Sequence, residues 1–233
     1  MGEPLLLLLH GLGATGAVWA GWEPALRDRW PGRWRAPDLP GHGKAAGLSE
    51  YSFEGLADAL VPLVEPGTVV MGHSLGGVVG LALAARAPVA AVVGLGIKVA
   101  WSAEELDRAR ALAQRPVTWF ATREEAVARH LRVSGLAGLV AEDDPAALDG
   151  VREADGRWRL ALDPAAFGVG APDMDALVAG ASHVVLARGE LDPMNTDAQL
   201  ASYGTSVVTL AGLGHNAHVE SPRQCMTLLE ALR

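Results

Sequence analysis

A chain of 233 residues, half of them hydrophobic and only 20% charged, can bury one large core, which excludes an unfolded interaction tail. Its formal charge of −8 argues against nucleic acid or an anionic membrane surface as the main partner. The single cysteine, Cys225, excludes an internal disulfide and a cysteine-rich metal site.

In chain order, Leu5–Leu9 is an apolar run ended by His10-Gly11, the pattern of a strand covered on both faces. It is too short for the core of a signal peptide, and no stretch approaches a membrane span, so a cytoplasmic location is expected. A helix is expected over about Ala17–Trp30 and a strand over Trp34–Ala36, ending at Pro37-Asp38-Leu39-Pro40-Gly41-His42-Gly43. Ser52 can cap a helix over about Phe53–Val64. A strand over Thr68–Met71, a helix over Val78–Arg86 and a strand over Val89–Ile97 follow. Strands alternating with helices imply a parallel sheet with helices on both faces.

From Lys98 to about Ala181 no run reads as a buried strand. Ser102-Ala103-Glu104-Glu105 and Thr122-Arg123-Glu124-Glu125 are capping boxes that open helices, while Asp143-Asp144-Pro145 and Asp155-Gly156 mark turns. Residues 98–181 are therefore expected to form a helical insertion in a sheet domain made of residues 1–97 and 182–233. The alternation resumes with Val184–Ala187, a helix opened by Thr196, the strand Val207–Leu210 and a last helix from Ser221-Pro222, in which Cys225 reads as a buried thiol.

The chemistry gathers at the strand ends. Val69-Val70-Met71 runs into Gly72-His73-Ser74-Leu75-Gly76-Gly77, a strand, a sharp turn and a helix with a serine at the apex. Small neighbours allow so tight a turn, and a helix N-terminus favours a developing anion. Ligands of open parallel sheets bind beyond the carboxyl ends of the strands. The residues there are His10-Gly11-Leu12, Asp38 and His42, Ser74, Asp192 and His215. A serine hydroxyl needs an imidazole to take its proton, and the imidazole needs a carboxylate to fix its tautomer. Serine, acid, histidine is the chain order of that set on such sheets. Asp192 and Asp38 both stand where the acid could be.

These motifs, with Gly189-Glu190-Leu191-Asp192 and Gly214-His215-Asn216-Ala217-His218-Val219-Glu220-Ser221-Pro222, resemble the α/β-hydrolase superfamily over essentially the whole chain. The resemblance implies a mostly parallel, doubly wound sheet with residues 98–181 as a cap. It implies Ser74 as nucleophile, His215 as base, Asp192 as acid, and the backbone N–H groups of Leu12 and Leu75 as oxyanion hole. The β-hairpin with which most relatives begin has no counterpart before Leu5, so the sheet is expected to be shorter at one edge. Lys44-Ala45 follows Gly41-His42-Gly43 where the family often has serine.

The expected activity is hydrolysis of a small carboxylic ester, thioester or lactone through an acyl-enzyme. The alternative is a lyase or carbon–carbon bond hydrolase of a biosynthetic pathway using the same residues. The substrate is expected to be a small molecule, with oligomeric state left open. In the insertion, Trp101, Trp119, Phe120 and Phe167 are candidates to line an apolar pocket. Arg123, Arg129 and Arg132 either meet an anionic substrate group or form a solvated face. Gly11-Leu12-Gly13-Ala14-Thr15-Gly16 matches a dinucleotide-binding loop, with Asp38 where a ribose-binding acid would sit. A nicotinamide-dependent oxidoreductase leaves Ser74, Asp192 and His215 unexplained, so no cofactor is expected. His215 and His218 lack a third ligand at recognisable spacing, so no metal is expected.

Overall fold

The computed structural model describes residues 3–230 and 232, so the outermost residues assigned above to the sheet domain lie outside the described part. Strand β1 (Leu5–Leu9) buries every side chain, and its period of two divides them between two cores. Leu5, Leu7 and Leu9 join one core, while Leu6 and Leu8 join the other. Helix α1 (Glu23–Arg29) and strand β2 (Arg33–Arg35) follow. The helix expected over Ala17–Trp30 is instead a 3₁₀ segment, Gly16–Trp22, running into α1. Pro24 explains the break, since it lacks an N–H and suits only the first turn of an α-helix.

Helix α2 (Phe53–Leu60) starts at Ser52, whose hydroxyl accepts the Gly55 N–H at 3.0 Å. Strand β3 (Val69–His73) runs two residues further than expected, and helix α3 (Leu75–Ala84) begins directly after Ser74. Strand β4 (Ala91–Leu95) completes the first half of the sheet.

Between β4 and the next sheet strand come α4 (Ala103–Ala113) and α5 (Arg123–Val133), both opened by complete capping boxes, and α6 (Pro145–Leu148). The expectation of a purely helical insertion is corrected here. Strands β5 (Val151–Ala154) and β6 (Arg157–Leu160) form an antiparallel hairpin. Its turn is Asp155-Gly156 with φ of 53° and 70°, the left-handed pair that a two-residue hairpin loop requires. Helix α7 (Met174–Ala179) buries Met174, Leu177 and Val178 in the same core as α3. The chain is thus back on the sheet before residue 182.

Strand β7 (Val184–Gly189), helix α8 (Asp197–Ala201), strand β8 (Ser206–Leu210) and helices α9 (Ala217–Glu220) and α10 (Pro222–Glu230) finish the fold. Cys225 lies buried in α10. Among the described residues no helix is long and apolar enough to cross a membrane.

The six sheet strands are all parallel, in the order β2-β1-β3-β4-β7-β8. From β1 the chain first steps outward to β2 and then back past β1 to β3. The order therefore reverses between β1 and β3, and a crevice opens beyond their carboxyl ends. His10-Gly11-Leu12 and Ser74 follow those two ends.

Strand and helix can meet this closely because Cβ atoms are missing. A Cβ on Gly76 would lie 2.4 Å from the Leu9 carbonyl oxygen, and one on Gly72 2.2 Å from that of Gly76. Gly76→Ala is therefore expected to cost about 3 kcal/mol in urea unfolding, because only backbone can yield. Gly67→Ala serves as the reference. Its φ of 84° is unfavourable but its surroundings are open, so it is expected to lose only about 1 kcal/mol.

Candidate active site

Ser74 has φ 50° and ψ −118°, one of two non-glycine residues with positive φ among those described. Such backbone costs of order 1–3 kcal/mol and persists only where its surroundings enforce it. Here the Ser74 N–H donates to the Leu95 carbonyl at 2.8 Å, and the Ser74 carbonyl accepts from Gly77 at 3.0 Å. The serine is pinned between β4 and the first turn of α3. Leu75 opens that helix, so its N–H has no partner within it. Ser74, Leu75 and Leu12 all border one cavity.

His215 and Asp192 sit on the loops after β8 and β7. His215 Nδ1 lies 3.0 Å from Asp192 Oδ2, and Asp192 is 1% exposed. The second carboxylate oxygen accepts the Met194 N–H at 2.9 Å, so the buried charge has donors on both sides. Arg188 braces the turn through the Asp192 carbonyl at 2.8 Å. The two loops are joined by backbone, the Leu191 N–H donating to Leu213 at 2.8 Å. A Cβ on Gly189 would come within 2.2 Å of the Gly214 carbonyl. Asp38, the other candidate acid, is occupied elsewhere. Its two oxygens accept the Gly16 and Lys44 N–H groups, each at 2.8 Å, and so bind two loops together.

A row of buried histidines underlies the site. The Leu39 N–H donates to His10 Nε2 at 2.9 Å, so the His10 proton is on Nδ1, donating to the Gly11 carbonyl at 2.8 Å. His10 thus ties the β1 loop to the β2 loop. His73, the residue before Ser74, donates from Nε2 to the His215 carbonyl at 3.0 Å. His218 stacks on His73 with ring centroids 4.1 Å apart and lies 4.8 Å from Trp19. This stack carries no sequence motif beyond the bare order of residues, and nothing in the chain announces it.

The cavity beside Ser74 measures about 280 Å³. Phe53 and Val78 line it from the sheet domain, and Trp101, Leu106, Leu112 and Phe167 from the segment between β4 and β7. Lys98 and Glu105, which form an ion pair, also border it. Three pocket candidates are corrected. Trp119 is covered by the guanidinium groups of Arg157 and Arg159, at 4.9 and 5.9 Å. Phe120 exchanges backbone hydrogen bonds with Trp158, and Arg123 lies over the Trp158 ring at 5.5 Å. All three are engaged with the β5–β6 hairpin and none borders the Ser74 cavity. The overlooked lining of α4 had a legible signal, since Leu106, Ala109 and Leu112 recur at helical spacing along one face.

Burial pushes five histidines below their ordinary value of 6.5. His10 falls to about 3 through burial and the neighbouring His42, and His218 to about 3 through burial and the neighbouring His215. Burial also lowers His42, His73 and His130. Each ring is neutral in the folded chain but takes a proton when unfolded. Their contribution to stability is complete above about pH 6.5 and is lost as pH falls below it, for His10 and His218 down to about 3. His10 and His218 each cost about 1.4 kcal/mol per pH unit between about pH 6 and their folded value near 3. The urea midpoint is therefore expected to fall steeply below about pH 6, and a flat midpoint down to about pH 4 would contradict this account.

A family model described as alpha/beta hydrolase family matches residues 6–227. A pimeloyl-[acyl-carrier protein] methyl ester esterase of Aromatoleum aromaticum is 32% identical over 99% of this chain and 98% of its own length. One of the same name from Methylococcus capsulatus is 40% identical over 85 residues, spanning 36% of this chain and 33% of that protein. For the first-ranked curated relatives, the match therefore spans only about a third of their length. Among solved structures, E-2-(acetamidomethylene)succinate hydrolase superposes with a TM-score of 0.81 at 24% identity, covering 99% of this chain and 92% of that one. The chain belongs to the α/β-hydrolase family.

Proposed function

We propose that the protein is a serine hydrolase that cleaves a small carboxylic ester through an acyl-enzyme. One observation carries the reading. His215, paired with the buried Asp192, is held through its carbonyl by His73, the residue beside a strained serine that opens on an apolar cavity. Relatives named for methyl ester hydrolysis support a small leaving alcohol.

In this reading Ser74 Oγ attacks the ester carbonyl carbon while His215 Nε2 accepts the hydroxyl proton. The Nδ1–H bond to Asp192 holds the ring in the tautomer that leaves Nε2 free, and the carboxylate stabilises the imidazolium. The N–H groups of Leu12 and Leu75 receive the oxyanion. Collapse breaks the carbon–oxygen bond, and His215 gives its proton to the departing alcohol. A water molecule then attacks the acyl carbon, His215 takes its proton, and the acid leaves as Ser74 recovers its hydrogen. The part of residues 98–181 that precedes α7 acts as the cap that shapes the acyl cavity.

Ser74→Ala and His215→Ala are expected to lower kcat by about 10⁴-fold, and Asp192→Asn by about 10³- to 10⁴-fold, on p-nitrophenyl esters. The same change at Asp38 is expected to move the urea midpoint rather than kcat. Fluorophosphonate labelling at Ser74 together with ester turnover supports the reading. Labelling without turnover at any acyl length overturns it in favour of a lyase or carbon–carbon bond hydrolase. Absence of labelling overturns the assignment of Ser74.

A further inference from the structure

Two walls of the Ser74 cavity, Leu112 and Phe167, also line a second hollow of about 110 Å³. This hollow lies where the C-terminal end of α4, the α5 helix and strand β6 come together. Its floor is apolar, with Val133, Leu160 and Leu162, but Arg115 and Arg129 stand at its edge. Neither guanidinium has an ion-pair or hydrogen-bond partner among the described residues. Other arginines, Arg108 and Arg132 among them, are equally without such a partner among the described residues, so what sets these two apart is that both border one hollow with an apolar floor.

A guanidinium is a rigid fork of donors that matches a carboxylate or phosphate, and its attraction is strongest beside low-dielectric walls. Leu112 and Phe167 belong to both linings, so the two hollows adjoin at these side chains. Arg123 and Arg132, which share α5 with Arg129, do not border this hollow, so only one arginine of that helix is engaged.

We infer that the second hollow receives the far end of the substrate's acyl chain, and that this end carries an anion, a carboxylate or a phosphate, gripped by Arg115 and Arg129. The inference rests on the reading of Ser74 as the ester-cleaving nucleophile and names the class of substrate for that site. Short acyl chains cannot reach the arginines, so selection for the anion is expected only once the chain is long enough to pass Leu112 and Phe167.

The test compares p-nitrophenyl esters of matched chain length bearing a methyl, a carboxylate or a phosphate at the far end, from short to medium chains. For the longer chains, kcat/KM is expected to favour at least one anionic ester by about tenfold or more, through KM, with the preference declining as salt is added. The double variant Arg115→Ala/Arg129→Ala is expected to bring the anionic-to-neutral ratio close to one, and Arg129→Glu to invert it. Restoring the charge with Arg129→Lys is expected to recover part of the preference. Equal use of anionic and neutral esters by the unaltered protein overturns the inference while leaving ester cleavage intact. A preference that survives both substitutions also overturns it, because the anion is then read elsewhere. If no ester of any kind is cleaved, the reading of Ser74 itself has failed.

Discussion

The site depends on a backbone contact that leaves no room for side chains. The end of β1, the end of β3 and the first turn of α3 converge where a Cβ on Gly72 or Gly76 would sit within 2.4 Å of a carbonyl oxygen. That closeness forces the chain to turn at a single residue, and the turning residue is Ser74 at φ 50°. The strain is sustained by what surrounds it. β1, β3 and β4 are buried throughout, feeding alternate side chains into two separate cores, so the frame cannot relax to relieve one dihedral.

The base and acid are held by the same economy of backbone. Gly189 lets the β7 loop approach the β8 loop within contact distance, which brings Asp192 to His215 and removes the carboxylate from bulk water. Asp38 shows how little residue type and post-strand position decide by themselves. It occupies an equivalent place after β2, yet two backbone N–H groups consume its oxygens and turn it into a brace. His73 closes the arrangement, because the residue that precedes Ser74 also holds the carbonyl of His215.

Much of this was legible in the sequence for identifiable reasons. Uniformly apolar runs such as Leu5–Leu9 can be satisfied only by a strand covered on both sides, and serine, threonine and aspartate caps carry their hydrogen bonds locally. The order Ser74, Asp192, His215 is readable because strand ends of a parallel sheet share one edge. What stayed hidden depends on contacts distant in sequence. The β5–β6 hairpin is rich in charge and has too few apolar residues to read as a strand, although its Asp-Gly turn was visible. Trp119, Phe120 and Arg123 carry the composition of a pocket but are claimed by that same hairpin. The His73–His218–Trp19 stack joins residues from three separate segments, and no local pattern encodes it.

The segment between β4 and β7 leaves and rejoins the sheet at adjacent strands, paired in parallel from Val92–Val184 to Leu95–Ala187. The sheet therefore experiences some ninety residues as the closing of a single loop whose ends are already neighbours. Closure entropy grows only with the logarithm of length, about 0.6 kcal/mol for each doubling, so insertions and deletions there hardly disturb the frame. Evolution, or a protein engineer, can thus vary the exposed parts of the segment, whereas α7, whose Met174, Leu177 and Val178 belong to the sheet core, has to stay. The strained turn and its partners stay fixed while the shape and charge of the entrance are redrawn.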